Sequence, residues 1–399
     1  MKYSKQEIIQ YAREEDVKFI RLAFCDIFGR QKNISIMPDE LERAFEYGIA
    51  FDASAVAGFD DGKSGDLLLH PEADTLMPLP WRPEHGRVVQ MFSDISYPDG
   101  TPFERDTRHL LKQAAERARR AGFEFSFGAE QEFYLFLLDE NGNPSRTPCD
   151  RAGYMDIAPD DKGENLRREV CLTLEKMGIR PESSHHEEGP GQNEIDFRYS
   201  GALKAADDAL TFQRTVKTVA FLSGLYADFS PKPIADQPGN GFHINLSLKP
   251  CGEKIFSAML AGLLRHIREM TLFLNPTPES YQRLGRDKAP SQIGWSASSR
   301  CQLLRVPAAQ REYQRCELRS PDPCANPYLA FSLMIHAALD GIENGLPLPA
   351  PIDSNAGGAP QKSPERLPES LRAARDAAQS DFIKAHVPGA ILSAYLAEK

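Results

Sequence analysis

Phe123-Glu-Phe-Ser-Phe-Gly-Ala-Glu-Gln-Glu-Phe-Tyr-Leu-Phe-Leu-Leu138 reads as one long strand with apolar residues on both faces. Such a strand belongs in the centre of a well-covered sheet. Glu130 and Glu132 lie two residues apart within it, so they share one face. Their neighbours Phe125, Phe127, Phe133 and Phe136 argue against a solvated face. The same alternation recurs elsewhere. Asn193-Glu-Ile-Asp-Phe197 sets Glu194 and Asp196 against Ile195 and Phe197. Gly241-Phe-His-Ile-Asn-Leu-Ser-Leu248 sets His243, Asn245 and Ser247 against Ile244, Leu246 and Leu248. Arg315-Cys-Glu-Leu-Arg319 sets Arg315, Glu317 and Arg319 against Cys316 and Leu318. Strands of this kind brought together form a wall of carboxylates, one imidazole and guanidiniums. Clustered carboxylates repel unless hard cations sit among them, which points to a metal site that handles phosphate.

The pattern along the chain reads as α+β. Strands are expected at 17–24 and 32–36, a helix at 39–47, and a strand at 87–92 within a Pro-rich stretch. The turn cluster Tyr97-Pro-Asp-Gly-Thr-Pro102 marks a boundary between residues 1–101 and 102–399. Helices are expected at 107–120, 166–177, 205–226, 255–273 and 327–344, a loop at 346–366, and a helical tail from Leu367.

The chain has 399 residues, a net charge of -10, 41% hydrophobic and 26% charged residues. These values fit a soluble globular protein and argue against nucleic acid as the main partner. No stretch has the length and apolarity of a membrane span, and the N-terminus does not read as a signal peptide. Seven cysteines at irregular spacing fit reduced thiols in a cytoplasmic protein, with neither a disulfide framework nor a zinc site. Gly58-Phe-Asp-Asp-Gly-Lys-Ser64 is one residue short of a phosphate loop and lacks the strand-to-helix context, so a nucleotide must be held another way. His185-His-Glu-Glu-Gly-Pro-Gly-Gln-Asn-Glu194 reads either as a surface loop or as a transition-metal site. Arg319 shares a strand face with Glu317, a position that suits a fork for phosphate or carboxylate.

Taken in order, the segments resemble the glutamine synthetase family almost end to end. The matching motifs are Phe51-Asp-Ala-Ser54, Tyr97-Pro-Asp-Gly-Thr-Pro-Phe103, Glu130-Gln-Glu132, His185-His-Glu187 and Gly191-Gln-Asn-Glu194. They continue with Lys232-Pro233, Gly241-Phe-His243, Ser280-Tyr-Gln-Arg-Leu284, Arg300, Arg305-Val-Pro307 and the run from Glu317 to Phe331. The resemblance implies a small N-terminal β-grasp domain followed by a catalytic domain with a curved antiparallel sheet and long helices. It implies a homo-oligomer, commonly a double-ring dodecamer, with active sites between neighbouring subunits. It implies two or three Mg²⁺ or Mn²⁺ ions per site, with Glu132, Glu187 and Glu194 on one and Glu130, His243 and Glu317 on another. Asp196 is left outside both sets as a supporting acid. ATP is the implied co-substrate. The implied reaction converts the γ-carboxylate of glutamate to an acyl phosphate, which ammonia then displaces. Arg300, Arg305 and Arg319 are implied at the transferring phosphoryl group, with Arg300, Arg305 and Asn245 at the nucleotide. Arg283, Gly239 and Arg319 are implied at glutamate, and Asp52 at the incoming ammonium.

Two positions depart from the family pattern. Lys288, in Gly285-Arg-Asp-Lys-Ala-Pro290, aligns with a glutamate that shields the intermediate and draws a proton from ammonium. Pro238 replaces an asparagine in the loop before His243. Residues 346–366 lack the tyrosine motif used for adenylylation control in some bacterial members. The departures leave two alternatives: an enzyme that joins glutamate to another amine, and a catalytically silent scaffold or nitrogen sensor.

Overall fold

The computed structural model describes residues 3–60, 62, 65–82, 85–307, 314–352 and 365–397. Parts of the phosphate-loop look-alike at 58–64 and most of the loop at 346–366 therefore lie outside the described residues.

The chain opens with a helix that the sequence reading passed over. α1 spans Lys5–Glu14, and Ser4 and Glu7 form a reciprocal capping box at its start. Then come β1 (Val17–Cys25), β2 (Gln31–Ile36), α2 (Leu41–Tyr47), β3 (Ile49–Asp52), β4 (Asp66–Pro71), β5 (Met77–Pro78) and β6 (Arg87–Ser96). They build a six-stranded sheet in the order β2-β1-β6-β4-β3, with β5 also against β6. β1 and β6 run parallel, and the other pairs are antiparallel.

The second unit begins with α3 (Thr107–Arg120), capped by Asp106, and β7 (Glu124–Leu138). β8 (Pro144–Pro148), α4 (Glu164–Lys176), β9 (Pro181–His186), β10 (Gln192–Phe197), β11 (Ser200–Gly201) and α5 (Ala202–Leu222) follow. Next are β12 (Leu225–Asp228), β13 (Phe242–Lys249), α6 (Glu253–Leu274), α7 (Ser280–Arg283), β14 (Trp295–Ser296), β15 (Leu304–Arg305) and β16 (Cys316–Leu318). α8 (Pro327–Glu343) and three short helices, α9 (Leu371–Ala377), α10 (Asp381–His386) and α11 (Gly389–Ala397), complete the order. The helix expected to run to Tyr226 stops at Leu222. Gly224 takes the left-handed conformation (φ 73°), and Leu225–Asp228 leave the helix to pair with β7.

β7 is the spine of a ten-stranded sheet whose main path is β14-β15-β16-β13-β7-β10-β9. Gln131 pairs with both Phe242 and Ile195, so β13 and β10 lie on opposite edges of it. β12 extends the β13 edge, while β11 and β8 extend the β10 edge. One face of β7 carries Phe127, Ala129, Gln131 and Phe133 into the core. Phe127 stacks on Phe331 of α8 at 4.3 Å, and Phe133 packs against Phe212 of α5 and Phe229. Gln131 is bonded to α5 by the Ala209 carbonyl and the Gln213 amide. The opposite face is left for Glu130, Glu132 and Tyr134. None of the described helices is long and apolar enough to cross a membrane.

A buried ion cluster ties the first sheet to the helical layer. Arg108 of α3 donates to both carboxylate oxygens of Asp207 on α5 (3.0 and 2.9 Å) and to Asp94 of β6 (3.0 Å). It also reaches Glu72 at 2.8 Å, and the Tyr328 hydroxyl of α8 donates to Asp207 at 2.6 Å. Removing one partner of a buried cluster strands the rest, which costs about 3–5 kcal/mol. Arg108→Met is expected to lower the unfolding free energy by that amount in a chemical denaturation titration. A loss below about 1 kcal/mol would show that this cluster does not hold the two units together.

Candidate active site

The strand registers assemble the site. Glu194 of β10 stands opposite Glu132 of β7, and Asp196 opposite Glu130. His243 of β13 faces Glu130 from the other edge. Glu317 of β16 pairs with Asn245 of β13 and with Arg305 of β15. His185 of β9 is opposite Glu194. Directly paired residues share a face and approach closely, so like charges in these places repel.

The donor atoms fall into compact groups. Glu130, His243 and Glu317 offer one ligand atom each within 4.8 Å of one another, and so do His185, Glu187 and Glu194. A third group, Glu130, Glu194 and Asp196, bridges them. Glu132 lies between the sets. Its Oε2 accepts from the Gly241 N–H (2.8 Å) and the Gln192 amide (3.2 Å), and its Oε1 is 3.8 Å from His243 Nε2. The sequence reading did not put His185 among the ligands, although its spacing of two from Glu187 carried the signal. Asp196, set aside from the sequence, stands beside Glu130 and Glu194 and is bonded to Ser183.

Burial makes this wall reluctant to ionise. Burial and the nearby Glu317 push the Glu130 carboxyl up to about 7. Burial and Glu130 push Asp196 up to about 6. Burial, with Glu132 and Asp196 adding to it, lifts Glu194 well above the ordinary range. Glu317 behaves oppositely: burial opposes ionisation, but Arg319, His243 and Arg305 outweigh it and hold the carboxyl low. Burial, then Arg319, pushes His243 down to about 4, so the ring is neutral at pH 7 and free to act as a ligand. Oxygen donors with one neutral imidazole fit Mg²⁺ or Mn²⁺.

The cations ring this wall. Arg305 Nη1 donates to Glu317 Oε2 at 2.9 Å, and Arg319 Nη1 pairs with Glu317 Oε1. Arg319 Nε is buried without a hydrogen-bond partner. Arg283, at the end of α7, is buried and donates to the Ser320 and Arg319 carbonyls (2.7 and 3.2 Å). Arg300 is exposed and lines the same cavity, of about 80 Å³, as Glu130, Glu187, Gly239 and Arg283. Gly239 is constrained: a Cβ there would meet the Pro231 carbonyl at 2.4 Å and Arg283 Cγ at 2.9 Å. Tyr134 fixes the neighbouring loop by donating to the Pro238 carbonyl at 2.6 Å. The Asn245 amide donates to Glu130 at 2.6 Å and its oxygen accepts from Arg315 at 3.3 Å. A larger cleft of about 1020 Å³, between the Phe28–Asn33 turn and α5, holds none of these ligand groups, and chemistry outranks size in locating the site.

Residues 286–289 line the cavity. Asp287 takes a left-handed φ of 52° and reaches Lys232 at 3.3 Å. Lys288 pairs with Glu188 and lies 5.5 Å from the Tyr154 ring centroid. Asp52 is elsewhere. It closes β3 in the first sheet, accepts from the Ser54 N–H and hydroxyl (2.9 and 2.6 Å), is exposed, and does not line this cavity.

A family model described as the glutamine synthetase catalytic domain matches residues 104–399, and one described as the glutamine synthetase β-grasp domain matches 16–98. The chain belongs to the glutamine synthetase family. It is 45% identical over 368 residues to a glutamine synthetase of Clostridium saccharobutylicum, covering 89% of this chain and 83% of that one. It is 41% identical over 416 residues to a glutamine synthetase of Methanosarcina mazei, covering 99% and 93%. Among solved structures it is similar to the GmaS/ADP complex, with a TM-score of 0.87 at 28% identity over 97% of this chain and 93% of that one. The Plasmodium falciparum glutamine synthetase shares the fold, with a TM-score of 0.89 at 21% identity over 99% and 95%. The β-grasp unit of the family is thus the first sheet, the curved sheet, antiparallel except where β14 and β15 pair, is built on β7, and glutamine synthetase relatives make the chain a ligase.

Linkage fixes a pH response for the metal-free protein. Glu130 and Asp196 titrate higher folded than unfolded, so between about pH 4.5 and 7 the native state binds more protons. These two groups therefore contribute less stability as pH rises through that window, while His243, held at about 4, works the other way below about pH 6.5. Thermal unfolding with chelator is expected to show Glu130→Gln gaining midpoint relative to wild type as pH rises from 5.5 to 8, and millimolar Mg²⁺ is expected to raise the wild-type pH 8 value. A difference between the two proteins that does not change with pH would contradict this account.

Proposed function

We propose that this ligase activates the γ-carboxylate of glutamate with ATP and forms an amide with ammonia. The observation that carries the reading is the convergence of residues from two ligand groups with Arg319 and Arg283 on one cavity, where Arg305 bonds the ligand Glu317 from beside it. We assign Glu132, Glu187 and Glu194, with His185 beside them, to one ion, and Glu130, His243 and Glu317 to the other. Bound there, Mg²⁺ or Mn²⁺ would withdraw charge from the phosphate oxygens of ATP and orient them. Arg319, with Nε free, and Arg305 stand where negative charge on the moving phosphoryl group needs offsetting. Arg300 and Asn245 are assigned to the nucleotide. Arg283 and Gly239 are assigned to the glutamate α-carboxylate, because Arg283 ion-pairs with no carboxylate among the described residues.

A glutamate oxygen attacks the terminal phosphorus, ADP leaves, and the acyl carbon becomes electrophilic. The amine nitrogen then attacks that carbon and phosphate departs. Ammonium must first lose a proton, and Asp52 is assigned that role. Its exposure in the first sheet, away from its own chain's cavity, supports delivery to a neighbour's site in a homo-oligomer, which we take to be a double-ring dodecamer. The same reading places the domain boundary at 101/102 and the protein in the cytoplasm.

Lys288 favours a second reading, in which the acceptor is another amine. A cation paired with Glu188 in the cavity lining repels ammonium. Phosphate release from ATP and glutamate is expected with ammonium, and Lys288→Glu is expected to raise ammonium-dependent kcat/KM about tenfold, the effect of about 1.4 kcal/mol. Release only with bulkier amines would select the second reading. No release with any amine would overturn both. Glu317→Gln is expected to lower turnover at least about 100-fold.

A further inference from the structure

We infer that Asp150 and His186 act as a positioning pair that fixes the Glu187 turn for cation binding. The inference rests on the ligase reading above. Asp150, His186 and Asp161 are buried and close enough to be taken for a third cation site. Their bonding excludes that use. Asp161 is committed to Arg167, which also donates to Asn193. Asp150 accepts from the N–H groups of Gly191 (2.8 Å), Lys162 (3.0 Å) and Ala152 (3.3 Å) as well as standing 3.0 Å from His186 Nε2.

The pair grips both ends of one turn. His186 is fully buried and ends β9, and its Nδ1 donates to the Glu187 carbonyl at 2.7 Å. Gly191 closes the turn at φ 69°, where a Cβ would meet the Leu135 carbonyl at 2.8 Å. One Asp150 oxygen thus bonds His186 before the turn and Gly191 after it. The Glu187 N–H donates to the Gln192 carbonyl at 2.8 Å, completing the closure. Glu187 and Glu194 sit on either side of this closure, so the distance between their carboxylates depends on it. Neither Asp150 nor His186 lines the cavity, which makes them positioning residues rather than ligands.

The test is Mn²⁺ titration of the full chain, read by the magnetic resonance signal of free Mn²⁺, with far-ultraviolet circular dichroism as the folding control. Wild type is expected to bind two ions. His186→Ala is expected to weaken one of them about 10–100-fold and leave the other within about twofold. His186→Asn returns a donor to the Glu187 carbonyl and is expected to recover most of that loss. Should the alanine variant not fold, Asp150→Asn, which preserves volume, carries the same comparison with the same one-ion loss expected. Unchanged affinities in the folded variants overturn the pairing while leaving the ligase reading intact. Equal weakening of both ions, or asparagine no better than alanine, also overturns it. Wild type without Mn²⁺ binding overturns the ligase reading and this inference together.

Discussion

Carboxylates facing one another across β7 are the constraint on which the site depends. Glu130, Glu132, Glu194 and Asp196 occupy directly paired positions, where like charges oppose the pairing of the strands. The strands stay together because the other face of β7 is packed on α5 and α8 through Phe127, Phe133 and Gln131. Burial of that face outweighs the repulsion on this one. The repulsion is then eased in two ways: some carboxyls hold a proton, and Glu317 takes two guanidiniums. Metal ions would ease it further, so the wall favours cations.

The rest of the cavity depends on how loops are pinned to that wall. Tyr134, next to Glu132 along β7 but bonded to the Pro238 carbonyl, carries the register of the sheet into the loop before His243. Gln192 links Glu132 to the same region through the Gly239 carbonyl. The turn at 187–191 is anchored from outside the cavity by Asp150 and His186. The segment at 285–289 is held by its own backbone bonds, by the exposed pair Lys288–Glu188 with Lys288 over the Tyr154 ring, and by the pair of Asp287 with the buried Lys232. The exposed Lys288–Glu188 pair contributes little to stability, so position 288 tolerates change.

Much of this was legible in the sequence. Alternation in Phe123–Leu138, Asn193–Phe197 and Gly241–Leu248 gave the strands and their polar faces, because side chains in a strand alternate strictly. The long helices followed from apolar spacing and Gly stops. α1 was missed because its apolar residues are few, although Ser4 and Glu7 form a capping box. The end of α5 was misplaced because Leu225–Asp228 continue an apolar run that only pairing with β7 turns into a strand.

The sequence by itself determined which residues face the wall, since that depends only on the period of two within each segment. Only the tertiary structure decided how they are grouped. Glu132 lies between the ligand sets, His185 joins Glu187 and Glu194, and Asp196 stands beside Glu130, because strand register, not position along the chain, sets which side chains meet. It also decided that Asp150, Asp161 and His186 support the site without lining it. Their types suggest ligands. Their hydrogen bonds, to one another, to the Lys162 and Gly191 N–H groups and to Arg167, occupy the atoms a cation would need.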